Sequence, residues 1–222
     1  LQATWQTCSE VAQALDNDLV MTGILPTVRD EDLTVGNMSK MTRYQALNEQ
    51  VMRLRRGRPL RLDINGHEHL LSTHHDVMLE AAATSFQVHT QVPFREAMRY
   101  YNAAMVSSAP LVAMSNNSPF LFGADLWAET RIPLFEQAVE LGGLPGADFG
   151  PMKRVSFGSG YARDSIMECF TENREHFPIL LPVEYNSPVD ELKHLRLHNG
   201  TIWRWNRPLV GFDADGTPHI RI

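Results

Sequence analysis

Cysteine is nearly missing from this chain: Cys8 and Cys169 are its only two among 222 residues. They match no metal-binding or redox spacing. A disulfide framework is therefore excluded as an organising device, and a reducing cytoplasm is the expected location. Long apolar runs are missing too. No stretch approaches the roughly 18 residues that span a bilayer, so no membrane partner is expected. A basic segment followed by an apolar one, the mark of a signal peptide, is not seen. There is no excess of positive charge: 20 Lys and Arg against 26 Asp and Glu give a net charge of −6. That removes the electrostatic footprint of a nucleic-acid binder. The glycine patterns G-x-x-x-x-G-K-[ST] and G-x-G-x-x-G are absent, which disfavours P-loop and Rossmann nucleotide sites. No Ser/His/Asp or Cys/His order suggests a nucleophile.

What is present suffices for a sizeable core, since 43% of the residues are hydrophobic. The expectation is one catalytic-type domain over residues 1–222. Trp5, Cys8, Val11, Ala12 and Leu15 recur at helical spacing, predicting a helix over 2–16. "LVMTGIL" (19–25) reads as a short strand. Tyr44, Leu47, Val51 and Leu54 mark a helix that Gly57 and Pro59 stop. "LRLDINGHEHLLS" is a hairpin pattern, with Asn65-Gly66 suited to a type I′ turn. "ATSFQVHTQV" (83–92) alternates like a strand. Helices are expected over 94–115, with Pro110 kinking or restarting the first, over 124–140, over 162–173 and over 187–195. "LGGLPGADFGP" (141–151) reads as a mobile loop. A closing hairpin is expected from strands 200–212 and 217–222. Strands arriving as hairpins predict an α+β architecture, an antiparallel sheet with helices packed on one face. The chain opens inside an apparent helix at Leu1 and stops inside an apparent strand at Ile222, as a portion of a longer protein would.

Three groups of residues could carry chemistry. In the 83–92 strand, Ser85, Gln87, His89 and Gln91 would share a face. Such a face either meets solvent or lines a polar cavity, because burying it unpaired is costly. In "THHD", His74, His75 and Asp76 stand close to Glu80, and Asp76 and Glu80 supply oxygens of the kind that suits Mg²⁺; the spacing alone favours a solvated loop. In "RLHNGTIWRWNR" (196–207), strand parity would separate Gly200 and Arg204 from Trp203 and Trp205. A glycine in a strand can mark the close approach of a ligand. An arginine beside it can grip a carboxylate or phosphate with its planar fork. Alternatively, the tryptophans pack and the arginines are rim charges. Arg131, in "WAETRIPLF", reads by itself as a surface charge on a helix.

Taken in order, three stretches are similar to the glutamate–cysteine ligase family of the plant and bacterial type, which includes bacterial carboxylate–amine ligases. The first runs from Gln87-Val88-His89 through Asn116–Phe120 and Gly123 to Arg131 with Leu134-Phe135. The second is "FGSGYARDSIMECFTENREHFPILLP". The third is "HNGTIWRWNRP", which resembles a G-T-x-E-x-R strand at Gly200, Thr201 and Arg204. The resemblance implies a glutamine-synthetase-like catalytic fold and ATP and Mg²⁺ as cofactors. It implies that a carboxylate is activated as an acyl phosphate and then attacked by an amine. Glutamate and a cysteine-like amine are the expected partners, and a homo-oligomer is compatible with it. It implies catalytic roles for Arg131 and Arg204, and nucleotide contacts from Gln87, His89, Asn117, Ser118, Gly200 and Thr201. Metal ligation falls to Glu80 and His89. The family's paired E-x-E glutamates have no counterpart here and would lie before Leu1, a further acidic residue would follow Ile222, and Trp203 stands where the family commonly has Glu. The chain by itself is therefore expected to be weakly active or inactive. A non-catalytic module that retains the fold and a metal-binding domain built on His74, His75 and Asp76 are the competing readings.

Overall fold

The computed structural model describes residues 2–141 and 153–222. The Gly/Pro-rich loop expected over 141–151 lies, but for Leu141, outside them. Helix α1 (Gln2–Ala14) forms as its periodicity predicts, yet it buries no residue. Helix α2 (Thr42–Leu54) ends before Gly57, whose φ of +70° suits a residue without Cβ. Strands β1 (Leu60–Asn65) and β2 (His69–His74) pair antiparallel, with Leu60, Leu62 and Ile64 buried in alternation. The connection is the three residues Gly66–Glu68 rather than a two-residue type I′ turn, and Gly66 does not adopt a positive φ. Its glycine serves another need. A Cβ there would lie 2.5 Å from the backbone of Leu126, because the His67 and Glu68 N–H groups donate to the Leu126 and Asp125 carbonyls.

Five expectations are corrected. Residues 19–25 form no strand; Ile24 makes one isolated bridge with Ala83. Of the strand expected over 83–92, only β3 (Gln91–Val92) joins a sheet. After helix α3 (Ala97–Ser115) come strands β4 (Phe120–Leu121) and β5 (Ala124–Asp125), so the next helix, α4 (Arg131–Ala138), is far shorter than 124–140. Helix α5 (Met167–His176) starts later than expected. The stretch expected to begin a strand at 200 instead closes helix α6 (Lys193–Gly200), and only β6 (Leu209–Phe212) and β7 (Pro218–Arg221) make the terminal hairpin. Pro110 sits inside a continuous α3.

The architecture is α+β, and every strand ladder is antiparallel. Instead of one sheet there are, among the described residues, three small ones: β1-β2, β4-β5 and β3-β7-β6. Two main cores result. The first gathers Ile24, Leu62, Ile64, Leu79, Leu121, Leu126 and Leu134 around the β1-β2 hairpin and α4. The second gathers Val92, Ala97, Tyr101, Ile166, Phe170 and Ile220 between the three-stranded sheet, the start of α3, and α5. A smaller cluster of Val51, Val77 and Leu180 takes in part of Trp203. Among the described residues, no helix is long and apolar enough to cross a membrane.

Candidate functional site

The first of two polar centres stands on the first core. Glu129, in the turn before α4, and Arg131, the first residue of α4, stand two residues apart with their side chains folded onto each other. Arg131 Nε and Nη2 donate to the two Glu129 carboxylate oxygens at 2.5 and 2.6 Å, a fork-on-fork pair. Ser118, buried at the bridge between residues 118 and 129, donates its hydroxyl to the same carboxylate. Arg131 Nη1 reaches the Thr84 carbonyl at 3.1 Å. Gly23 lies against the group: a Cβ there would come within 2.7 Å of both Arg131 Nε and Asn117 Oδ1. Burial alone would raise the Glu129 pKa, but the bonds from Arg131 and Ser118 outweigh it and hold the carboxyl below its ordinary value. Glu129 in turn raises the Arg131 pKa. The Arg131 side chain keeps 23% of its surface exposed, so this cation is charged and reachable.

The second centre stands on the second core. Arg204 is almost wholly enclosed, its side chain 2% exposed. Its guanidinium meets Glu172 at 2.6 Å and donates to Asn173 Oδ1 from Nε and Nη2 at 3.1 and 2.7 Å. Asn173 passes the chain on to Asn199 at 3.0 Å, and Asn199 donates to the Pro208 carbonyl. Ser159 donates to Glu172 from both its N–H and its hydroxyl. Gly158, at φ +73°, seals the group, because a Cβ there would fall 1.7 Å from Arg204 Nη1. Glu172 is pushed up by burial and pulled further down by Ser159 and Arg204, ending below its ordinary value. Burial raises the Tyr101 hydroxyl and the Cys169 thiol beside it. Arg154 is buried nearby with carbonyl partners, Thr201 at 2.9 Å and Pro178 at 2.6 Å. Burial brings its pKa down to about 10.

The structure joins some expected residues and separates others. Arg131, Asn117 and Ser118 meet at the first centre. Arg204 is bound into the second by internal partners. Thr201 is buried and donates to the His198 carbonyl at 2.9 Å. Gly200 ends a helix, and a Cβ there would meet nothing within 4 Å, so the close approach expected of a strand glycine does not occur. Trp203 is half-buried against its small cluster, and Trp205 is edge-on to Phe135. Gln87 and His89 are exposed and bond each other at 3.0 Å. Glu80 lies in a 3-10 turn, where burial raises its carboxyl. His74 is buried on Ser72, His75 faces outward, and Asp76 caps the turn through the Met78 N–H. Among the described residues no three His, Cys, Asp or Glu side chains converge as a metal site. His74, His75 and Asp76 therefore form no three-ligand group among the described residues.

Sequence reasoning missed Glu129, Glu172, Asn173 and Gly158. Glu129 was open to it: "ETR" places a carboxylate beside Arg131 whenever the chain turns there. The partners of Arg204 come from 31 and 32 positions away and leave no local trace.

Residues 1–189 match the family described as glutamate-cysteine ligase family 2 (GCS2). The chain belongs to this family. No curated protein and no solved structure matches it. Arg131 and its partners Glu129, Ser118 and Asn117 fall inside the matched span of the glutamate–cysteine ligase family; Gly200, Thr201 and Arg204 fall beyond it.

Proposed function

We propose that the chain carries glutamate–cysteine-ligase-type chemistry, joining a carboxylate to an amine at the expense of ATP through an acyl phosphate, on a glutamine-synthetase-like fold. Family membership across residues 1–189 carries this reading. Within that span, Arg131 is the cation best placed to serve. It is charged, partly exposed and aimed by Glu129, and its fork suits a substrate carboxylate or a phosphoryl oxygen. Glu129 and Ser118 position it, and Asn117 stands beside it at Gly23. Mg²⁺ does not fit the described donors: Glu80 and His89 join no group of three ligands, so no step is routed through a metal here.

Glutamate, a panel of amines including cysteine, and Mg-ATP are incubated with the full-length protein, and ADP is followed. Amine-dependent ADP release is expected, falling at least tenfold in Arg131→Ala. Its absence with every amine tried defeats the proposal. A second reading, a nucleotide-binding module without turnover, is favoured by one observation: both arginines are already engaged by carboxylates of the chain itself. Calorimetric ATP binding without ADP release is its expected signature.

A further inference from the structure

The charge of this chain is unevenly placed. Five of its 20 Lys and Arg residues fall in "RLRRGRPLR" (53–61), which holds no Asp or Glu; the rest of the chain sets 15 cations against 26 carboxylates. Neither arginine centre draws on this stretch. A helix C-terminus favours a nearby cation through its macrodipole, and Arg53, in the last turn of α2, meets that need. The other four exceed it. The fold nevertheless holds them together. Arg55 is buried at the end of α2, and its guanidinium donates to the carbonyls of Arg58, Glu140 and Pro59 at 3.0, 2.5 and 2.5 Å. Around this post the chain turns sharply. Arg56 and Gly57 both take positive φ, +56° and +70°, and the N–H groups of Arg56, Gly57 and Arg58 donate to the carbonyls of Arg53, Met52 and Arg55. A long side chain in the left-handed region works against local preference, so Arg56 is not there for the turn. Arg61 follows on the outward face of β1. Arg53, Arg56, Arg58 and Arg61 are all exposed. Among the described residues, only Arg61 of these four has a carboxylate within 4 Å, that of Asp63 at 3.7 Å.

We propose that this α2–β1 corner, with Arg53, Arg56, Arg58 and Arg61 on its surface, is a docking site for an acidic polypeptide segment, a short run of Asp and Glu side chains. All four cations are arginines, whose planar forks meet carboxylates with two parallel bonds. The patch is bounded. Glu49 precedes it and Asp63 follows it, and the chain outside it carries a formal charge of −11. A nucleic-acid duplex, charged about every 1.7 Å along its axis, would run off the patch onto repelling surface. A few acidic side chains end within it. Between Tyr44 and Phe86 there is no Phe, Tyr or Trp, so the elements that build the corner supply no ring on which a base could stack. A lipid surface would need apolar side chains to enter it. The leucines of the patch are turned inward instead, Leu54 half-buried and Leu60 buried. An acidic partner is also steered to this corner, because it is the region where the field of an otherwise negative chain reverses sign.

A fluorescein-labelled peptide of about eight Asp and Glu residues, titrated with the protein and followed by anisotropy, tests this. Saturable binding is expected, weakening at least tenfold between about 20 mM and about 200 mM salt. Arg53→Gln, Arg56→Gln and Arg58→Gln combined, all at exposed positions, are expected to weaken it at least tenfold while circular dichroism stays unchanged. The same three positions changed to Lys keep the charge, and are expected to retain binding within about threefold. Arg95→Gln, exposed elsewhere, leaves it unaltered. No binding at the lower salt overturns the inference. So does binding that survives the triple Gln variant, or tighter binding of an oligothymidylate or of phosphatidylserine vesicles than of the peptide.

Discussion

The two arginine centres are built alike and exposed differently. Each sets a guanidinium on a carboxylate, adds a serine hydroxyl to that carboxylate, and presses a glycine against the cation. Arg204 is enclosed, and its pair is extended by Asn173 and Asn199 into the core. Arg131 keeps one side open to solvent. A buried pair gives up so much hydration that its removal by halves is destabilising, while its presence adds little. A partly open pair costs less and leaves part of a charged guanidinium in reach of solvent. The difference encloses Arg204 and leaves Arg131 reachable, and the proposal rests on Arg131 for that reason.

The comparison breaks most sharply at Arg204. Glu172→Ala leaves its charge uncompensated and is expected to lower the unfolding free energy by about 3–5 kcal/mol, with Gly158→Ala costing about 3 kcal/mol through overpacking and strain at positive φ. Urea melts of both variants measure this; unaltered midpoints would make the two centres equivalent. Arg131→Ala leaves the Glu129 carboxylate, 9% exposed, without its cation and is expected to cost about 3 kcal/mol of stability, while ADP release falls at least tenfold at temperatures where the variant stays folded.

Acid sharpens the contrast further. Glu129 and Glu172 both sit below their ordinary value of 4.5. Their pairs therefore contribute stability that is complete above that pH and is lost as pH falls through the lowered values. Thermal melts between about pH 6 and about pH 2 are expected to show a decline below about pH 4.5, shallower in Glu172→Gln. The smallest effect is at Glu80, whose carboxyl is raised by burial. Its sign is opposite: stability is fullest at low pH and is lost as pH rises from the unfolded value through the raised one. Glu80→Gln is expected to raise the melting temperature at neutral pH slightly and to leave it unchanged in acid.

The β1-β2 hairpin and α2 were legible because their apolar periods admit one reading each. The stretch 196–207 was not. "LKHLRLHNG" (192–200) alternates at Leu195 and Leu197, but also carries Leu192, Leu195 and Asn199 at helical spacing. Burial of Asn199 against Asn173 and Pro208 selects the helix. Residues 83–92 have the composition of a strand, yet pairing requires a neighbour, and only Gln91 and Val92 find one in β7.

By itself the sequence determined the α+β class and the family, since these rest on composition and on the order of local motifs. Tertiary structure alone decided which arginine is enclosed and which is open. Burial and ion pairing depend on groups such as Glu172 and Asn173, far away along the chain, and local periodicity carries no record of distant partners.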